Sequence, residues 1–553
     1  MRGRFTTGAL LGALVAGTLV AAAQPASADI GDTTPFELPN GAPAPSAIVS
    51  VANGDLWMSP ATGTSLTSIT TQGVASGHPL PGTFGKGATF GGITQTPDGR
   101  IWVSERFSST LSSVNTAGAD FTQIALPKST DPIALTADAS GNVWFVAPLS
   151  VRYGRVTPAG AVSIFQPGLS TPADVSSGPS GPVLAMIGGN TPGLAKVSAD
   201  GTLTRVALPG GVGADSVAVG TDGTMWAATL NGNAVFRVGP DGAASTIPLP
   251  AKSNPASMAA APDGSAWVVE VGSKKVSRIS AGGGLTEFAF PGTPRELTVG
   301  ADGNVWVTSS TPNPRVVRVL SGITPSYTAL PAIASPAGST NGAGTVLTAT
   351  NGSWSFQPTT FTQKWQRCTG NDGGTCTDIP GASTPTYTVT DADLGGYLRA
   401  TVTATNLNGA GTPASSSLLQ VAAKPAAPVT PTVPTPVAGG ATVTIAPGIT
   451  AKLAVPSSVP RKAKRTYRVT FTAPQPRGTV RFSLIDKGGT EVYVLSPGSV
   501  VTGGKKSATA AVKGRIPRSV AKGSYALRAV YTPSTPQKPT YPIATLSRPI
   551  RVR

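Results

Sequence analysis

The chain has 553 residues, too many for one hydrophobic core, so three or four domains are expected. Charged residues make up only 12%, while Gly (67) and Pro (52) are abundant, a mixture that favours short strands and turns and predicts an all-β chain. The net charge of +17 is confined to one end: residues 441–553 hold 20 Lys and Arg against two acids, Asp486 and Glu491, and the remainder is near neutral.

At the N-terminus, Arg2 and Arg4 precede an apolar run from Gly8 to Ala23, and Ala26-Ser27-Ala28 stands before Asp29. This is the layout of a cleaved signal peptide over 1–28, which predicts a secreted, extracellular or cell-wall-associated protein. The run is too short and too rich in small residues for a membrane span, no later stretch could span, and no Cys follows for lipid attachment.

Residues 29–331 carry a repeat. Gly is followed three residues later by Trp at Gly54/Trp57, Gly99/Trp102, Gly141/Trp144, Gly223/Trp226, Gly264/Trp267 and Gly303/Trp306, with Gly181/Leu184 filling the gap. The glycines are 45, 42, 40, 42, 41 and 39 residues apart, the period of a four-stranded blade, so a seven-bladed β-propeller is predicted. In each copy a pair such as Asp302-Gly303 is expected to form a two-residue hairpin turn. A second motif, a Gly turn and an alternating strand ending in Pro ("RISAGGGLTEFAFP"), supplies the outer strands. "TTPFELPNG" at 33–41 reads as a stray copy of the fourth strand that closes the ring, although "PSYTALP" at 325–331 could fill the same slot. The tryptophans occupy one place in every copy and are assigned to blade packing.

The forms "APDGSAWVVE" and "RISAGGGLTEF" resemble those of the virginiamycin B lyase (streptogramin lyase) propellers, close to NHL-like repeats, over residues 33–331. The resemblance implies a Mg²⁺-assisted elimination that opens a cyclic depsipeptide, with acid/base histidines in Pro-His dipeptides of the last two blades. Here those dipeptides are Pro255-Ala256 and Pro294-Arg295, and the related glutamates align near Thr293 and Ser310. The only histidine, His78, falls in the irregular insertion "VASGHPLPGTF" of blade 1 and is expected to be inert. Without those histidines no catalytic residue, metal or other cofactor is assigned, and Mg²⁺ enters only if the lyase alternative holds. Glu105, Arg106, Asp174, Asp215, Glu270, Arg295 and Glu296 are expected at one rim of the channel, where they could hold a small or peptidic ligand.

From about 332 to 421, "FTQKWQRC" and "DADLGGYLRATVTATN" resemble bacterial immunoglobulin-like sandwiches. Cys368 and Cys376 are expected to form a local disulfide, since two thiols without histidines make a poor zinc site. Residues 422–440 read as a Pro-rich linker. Residues 441–553 alternate at period two and predict a second, basic immunoglobulin-like sandwich. Arg461, Lys462, Lys464 and Arg465 are its candidate surface-attachment residues, with an anionic cell-wall polymer or acidic glycan as partner. Nucleic acid is disfavoured because no aromatic stacking surface interleaves the bases. The reading is therefore an envelope-associated binding protein, with a depsipeptide lyase and a structural adhesin as alternatives.

Overall fold

The recurring glycine has a conformational cause. In a computed structural model that describes residues 29–39, 41–81, 89–168, 170–423, 442–446, 449–472, 478–503, 507–534 and 544–553, all seven repeat glycines adopt positive φ, from 78° at Gly303 to 102° at Gly181. The signal peptide lies outside the described residues, as does nearly all of the Pro-rich linker. The Gly300 amide donates to Asn304 O at 2.8 Å and the Gly303 amide to Gly300 O at 2.9 Å. The turn thus has three residues, Ala301-Asp302-Gly303, and corrects the two-residue expectation. A type I turn needs one further residue in the left-handed region to rejoin the ladder, and Gly adopts it without strain. The Asp302 carboxylate reinforces the turn by accepting from the Asn304 amide and, at 3.1 Å, from Trp306 Nε1.

Seven four-stranded antiparallel sheets follow one another in chain order, each numbered from its innermost strand. Blade 1 is built from Pro45–Ser50, Leu56–Pro60, Ser65–Ile69 and Ala75–Pro79, and blade 6 from Pro255–Ala260, Ala266–Glu270, Lys275–Ile279 and Leu285–Ala289. Blade 7 draws three strands from Pro294–Val299, Val305–Ser309 and Arg315–Val319, and its fourth from the N-terminal Thr33–Glu37, which pairs Thr33 with Val319 through Glu37 with Arg315. Tyr327–Ala329 pairs instead with Ser353–Trp354, so the competing slot is taken.

The six tryptophans are buried between blades, none more than 8% exposed. The fourth strand places an aromatic ring on the tryptophan of its own blade: Phe36 on Trp306 at 5.3 Å, Phe165 on Trp144 at 6.2 Å, Phe288 on Trp267 at 5.6 Å and His78 on Trp57 at 4.2 Å. His78 is therefore part of a regular strand rather than an insertion, and its Nε2 meets Ser68 Oγ at 2.8 Å. Burial lowers its pKa.

Residues 332–421 form a β-sandwich around Leu347, Trp365, Val389 and Leu398. Cys368 and Cys376 are bonded and face each other across the paired strands Thr360–Cys368 and Cys376–Asp378. This sandwich packs against the propeller. Phe356 joins the blade 6–7 core, Asn406 Nδ2 donates to Ile323 O at 3.0 Å, and Thr71 Oγ1 donates to Gln357 Oε1 at 2.7 Å. The second compact unit begins at Pro425 and is a sandwich of two five-stranded sheets around Tyr467, Phe471, Phe482 and Tyr531. The whole described chain is all-β and has no α-helix.

Phe36→Ala removes the half-buried ring that covers Trp306. It is expected to cost about 2 kcal/mol, less than the full truncation of a buried Phe. Equilibrium urea unfolding measures it, with Phe107→Ala, at an exposed position, as the neutral control.

Candidate functional site

The first strands of all seven blades line a channel of about 530 Å³. Bulges interrupt five of these strands, for example between Pro172 and Asp174, Pro255 and Ser257, and Pro294 and Leu297. A bulge re-aims the side chain it carries, which is how a strand buried on both faces can present a polar group to the channel. Ten residues ahead of each repeat tryptophan, or of Leu184 in blade 4, stand Ala47, Gly92, Ala134, Asp174, Ser216, Ser257 and Glu296, all in the channel wall. Blades 1 to 3 contribute small residues there and blades 4 to 7 a polar arc.

The arc is hydrogen-bonded between blades 4 and 5 and between blades 6 and 7. Ser216 Oγ and the Val217 amide both donate to Asp174 Oδ2 at 3.0 Å, and the Val175 amide donates to Asp174 Oδ1 at 2.8 Å. Ser257 Oγ donates to Glu296 Oε2 at 2.7 Å. Enclosure by protein disfavours the charged form of both carboxyls. Asp174 is raised, with its three hydrogen bonds opposing the rise. Glu296 is pushed up to about 8 by the loss of water, with the negative charge of Asp174 adding to the shift.

Of the residues expected at the rim, Arg106, Asp174, Asp215 and Glu296 line the channel, as does Ala256. Glu105 and Glu270 do not. Glu105 is the last but one residue and Glu270 the last of the second strand of its blade, and each turns inward onto hydroxyls three and seven residues later: Glu105 accepts from Ser108 and Ser112, and Glu270 from Ser273 at 2.8 Å and Ser277 at 2.5 Å. They are buried struts, because a carboxyl group enclosed away from water needs hydrogen-bond partners of its own. Arg295 is exposed and outside the channel lining. Asp215 accepts the Leu230 amide at 2.7 Å.

Ser216 and Ser257 escaped the sequence reading, although aligning the repeats on their tryptophans places them opposite Asp174 and Glu296. Phe107 carried no such signal. It is 72% exposed at φ 64°, its amide donates to Asp131 Oδ1 at 3.0 Å, and the Arg106 guanidinium lies 5.3 Å from its ring. Among the described residues no group of three or more His, Cys, Asp or Glu is placed to hold a metal ion.

The profile of the virginiamycin B lyase family matches residues 26–185 and 84–351, more than half of the chain. The chain belongs to this family. A solved streptogramin B lyase is similar at 21% identity and a TM-score of 0.48, covering 52% of this chain and 97% of its own. The virginiamycin B lyase of Staphylococcus aureus shows 19% identity and a TM-score of 0.47, over 52% of this chain and 99% of its own. No curated protein matches the sequence.

In this family member the basic unit exposes Lys462, Lys464 and Arg465, whereas Arg461 is half-buried and donates from Nη1 to Arg518 O at 3.0 Å. Among the described residues no helix is long and apolar enough to cross a membrane.

Glu296 supplies a pH signature. The folded chain keeps it protonated up to about pH 8, while the unfolded chain ionises it near 4.5, so folding takes up a proton between these values. Stability is then expected to be full below the lower value and to fall as pH rises to the upper one, with Asp174 acting in the same direction. Thermal unfolding from pH 4 to 9 checks this, and Glu296→Gln should flatten the profile.

Proposed function

We propose that this member of the virginiamycin B lyase family is a secreted ligand-binding propeller held at the cell envelope by its basic C-terminal unit, and that it does not open cyclic depsipeptides. The observation that carries this reading is the pair Ala256 and Arg295, standing where the family resemblance calls for acid/base histidines. Ala256 offers the channel no titratable atom, and Arg295 is exposed and stands outside the channel lining. A ligand that enters beside Arg106, which lines the channel next to the exposed Phe107, brings its polar groups to the arc of blades 4 to 7. An exposed aromatic ring beside a guanidinium suits a planar or peptidic group.

One observation favours the lyase alternative. The sequence predicts no group able to move a proton near neutral pH, yet Glu296, adjacent to the lost histidine position, is held at about 8. That is a suitable value for an acid or base working near pH 7. The resemblance pairs such a group with a second proton carrier, and neither Ala256 nor Arg295 supplies one. Incubated with streptogramin B and Mg²⁺, the full chain is expected to leave the macrocycle intact by mass spectrometry. Turnover that disappears in Glu296→Gln would overturn the binding reading and make Glu296 the proton carrier.

Envelope retention rests on charge. A chain ending at Gly440 is expected to be released into the medium, whereas the full chain binds wall fragments and elutes as salt screens exposed charges over about 8 Å. Neutralising Lys462, Lys464 and Arg465 should lower the eluting salt concentration without unfolding the unit. Arg461 is omitted because it also braces the Arg518 carbonyl.

A further inference from the structure

The C-terminal unit carries a cavity of about 420 Å³, lined among others by Ile485, Asp486, Lys487, Tyr525, Ala526 and Pro549. Its floor follows from strand register. In Gly523–Pro533, Leu527, Ala529 and Tyr531 are fully buried in the core, so Ser524, Ala526 and Arg528 lie on the opposite face. Ala526 pairs with Ile485 on one side and Pro549 on the other, giving an apolar row across three adjacent strands. Arg528 pairs with Ser483 and Ser547, giving a polar row beside it. The hairpin turn at Asp486–Gly489 raises one wall, fixed by the Thr490 amide donating to Asp486 Oδ1 at 2.8 Å.

Charge surrounds this floor unevenly. Glu491 binds Arg481 and Arg528, so its charge is spent within the unit. Asp486 is then the one remaining acid of residues 441–553. Lys487 is exposed on the wall, and Arg551, exposed beside Ser524, continues the cationic margin. An apolar strip one ring wide, hydroxyls of Ser524 and Ser547 at its edge and cations around it match a pyranose ring bearing an acidic group. The C–H face of the sugar covers the strip, its hydroxyls meet the serines and Asp486, and the anion meets Lys487. A volume of this size falls within the range of small-molecule sites.

We propose that this pocket binds a sugar unit of an acidic polysaccharide, giving the basic unit a shaped site in addition to its field; this rests on the envelope-attachment reading above. Polygalacturonate serves as the acidic sugar polymer and polyphosphate as an anionic polymer without sugars. The full chain is expected to bind both at low salt. Near molar salt, binding to polyphosphate should vanish and binding to polygalacturonate should persist. Ala526→Trp, which fills the pocket from the face opposite the core, should weaken polygalacturonate binding about tenfold, equivalent to about 1.4 kcal/mol, and leave polyphosphate unchanged. Ser547→Trp provides the same reading from the neighbouring strand should the first variant fail to fold. Identical salt dependence for the two polymers, or full polygalacturonate affinity in a folded pocket variant, would overturn the proposal. Retention on wall fragments separates the two ideas. If pocket variants are retained and the Lys462, Lys464 and Arg465 variant is not, attachment stands without the pocket. If polygalacturonate binds through the pocket but fragments are not retained, the pocket stands and attachment fails.

Discussion

Ring closure is the constraint on which the propeller depends. A blade has two apolar faces and cannot bury either alone, so the seventh must be completed from the far end of the chain. Thr33–Glu37 completes it with five paired residues, and Phe36 lies on Trp306 with the Arg318 guanidinium 5.4 Å from one ring and 5.8 Å from the other. Two cross-strand contacts converge there: backbone pairing, which is generic, and an aromatic stack, which fixes register by placing Phe36 opposite Val316. A slip of one residue would turn Phe36 outward and leave Trp306 uncovered. The first sandwich reinforces this same blade through Phe356 and Asn406.

The channel inherits its chemistry from that closure. Seven first strands converge because the ring is complete, and the position ten residues before each tryptophan is held against the channel wall in every blade. In blades 1 to 3 that position is Ala or Gly and costs nothing. In blades 4 to 7 it is Asp, Ser, Ser and Glu, and each carboxyl is placed beside the serine of an adjoining blade, Asp174 with Ser216 and Glu296 with Ser257. The pairing offsets part of the desolvation cost, and what is left shows as the upward shift of both groups. Such shifts concentrate where ligands are handled as well as at structural networks. Glu105 and Glu270 stand apart from this arc, because they lie off the channel lining and are held by hydroxyls of their own blades.

Periodic features were legible in the sequence because periodicity reflects repeated packing. The Gly-x-x-Trp spacing gave the blade count, and the stray "TTPFELP" gave the closing strand because Phe36-x-Leu-Pro39 repeats the fourth-strand form of Phe288-x-Phe-Pro291. The same form is present in His78-Pro-Leu-Pro81, but a histidine in an aromatic slot does not look like a repeat residue until its stack on Trp57 is seen. Side-chain direction was the harder quantity. Glu105 and Arg106 are neighbours in sequence, yet only Arg106 lines the channel, because adjacent strand residues face opposite ways. The titration of Glu296 lay beyond sequence altogether, since it arises from the enclosure of one blade by the others and from Asp174, 122 positions away.

The basic unit shows the opposite economy. Twenty cations against two acids repel one another, and that repulsion weakens the folded state at any ionic strength low enough for it to be felt. The sandwich tolerates it because Tyr467, Phe471, Phe482 and Tyr531 are fully buried, supplying a core that needs no charge pairing. Glu491 is used twice, for Arg481 and Arg528, instead of being matched by further acids. Lys462, Lys464 and Arg465 stand exposed on a chain that elsewhere carries almost no net charge. A fold whose core is sufficient gains nothing internally from unpaired surface cations. Their concentration in one unit is the feature on which the proposed attachment to an anionic partner rests.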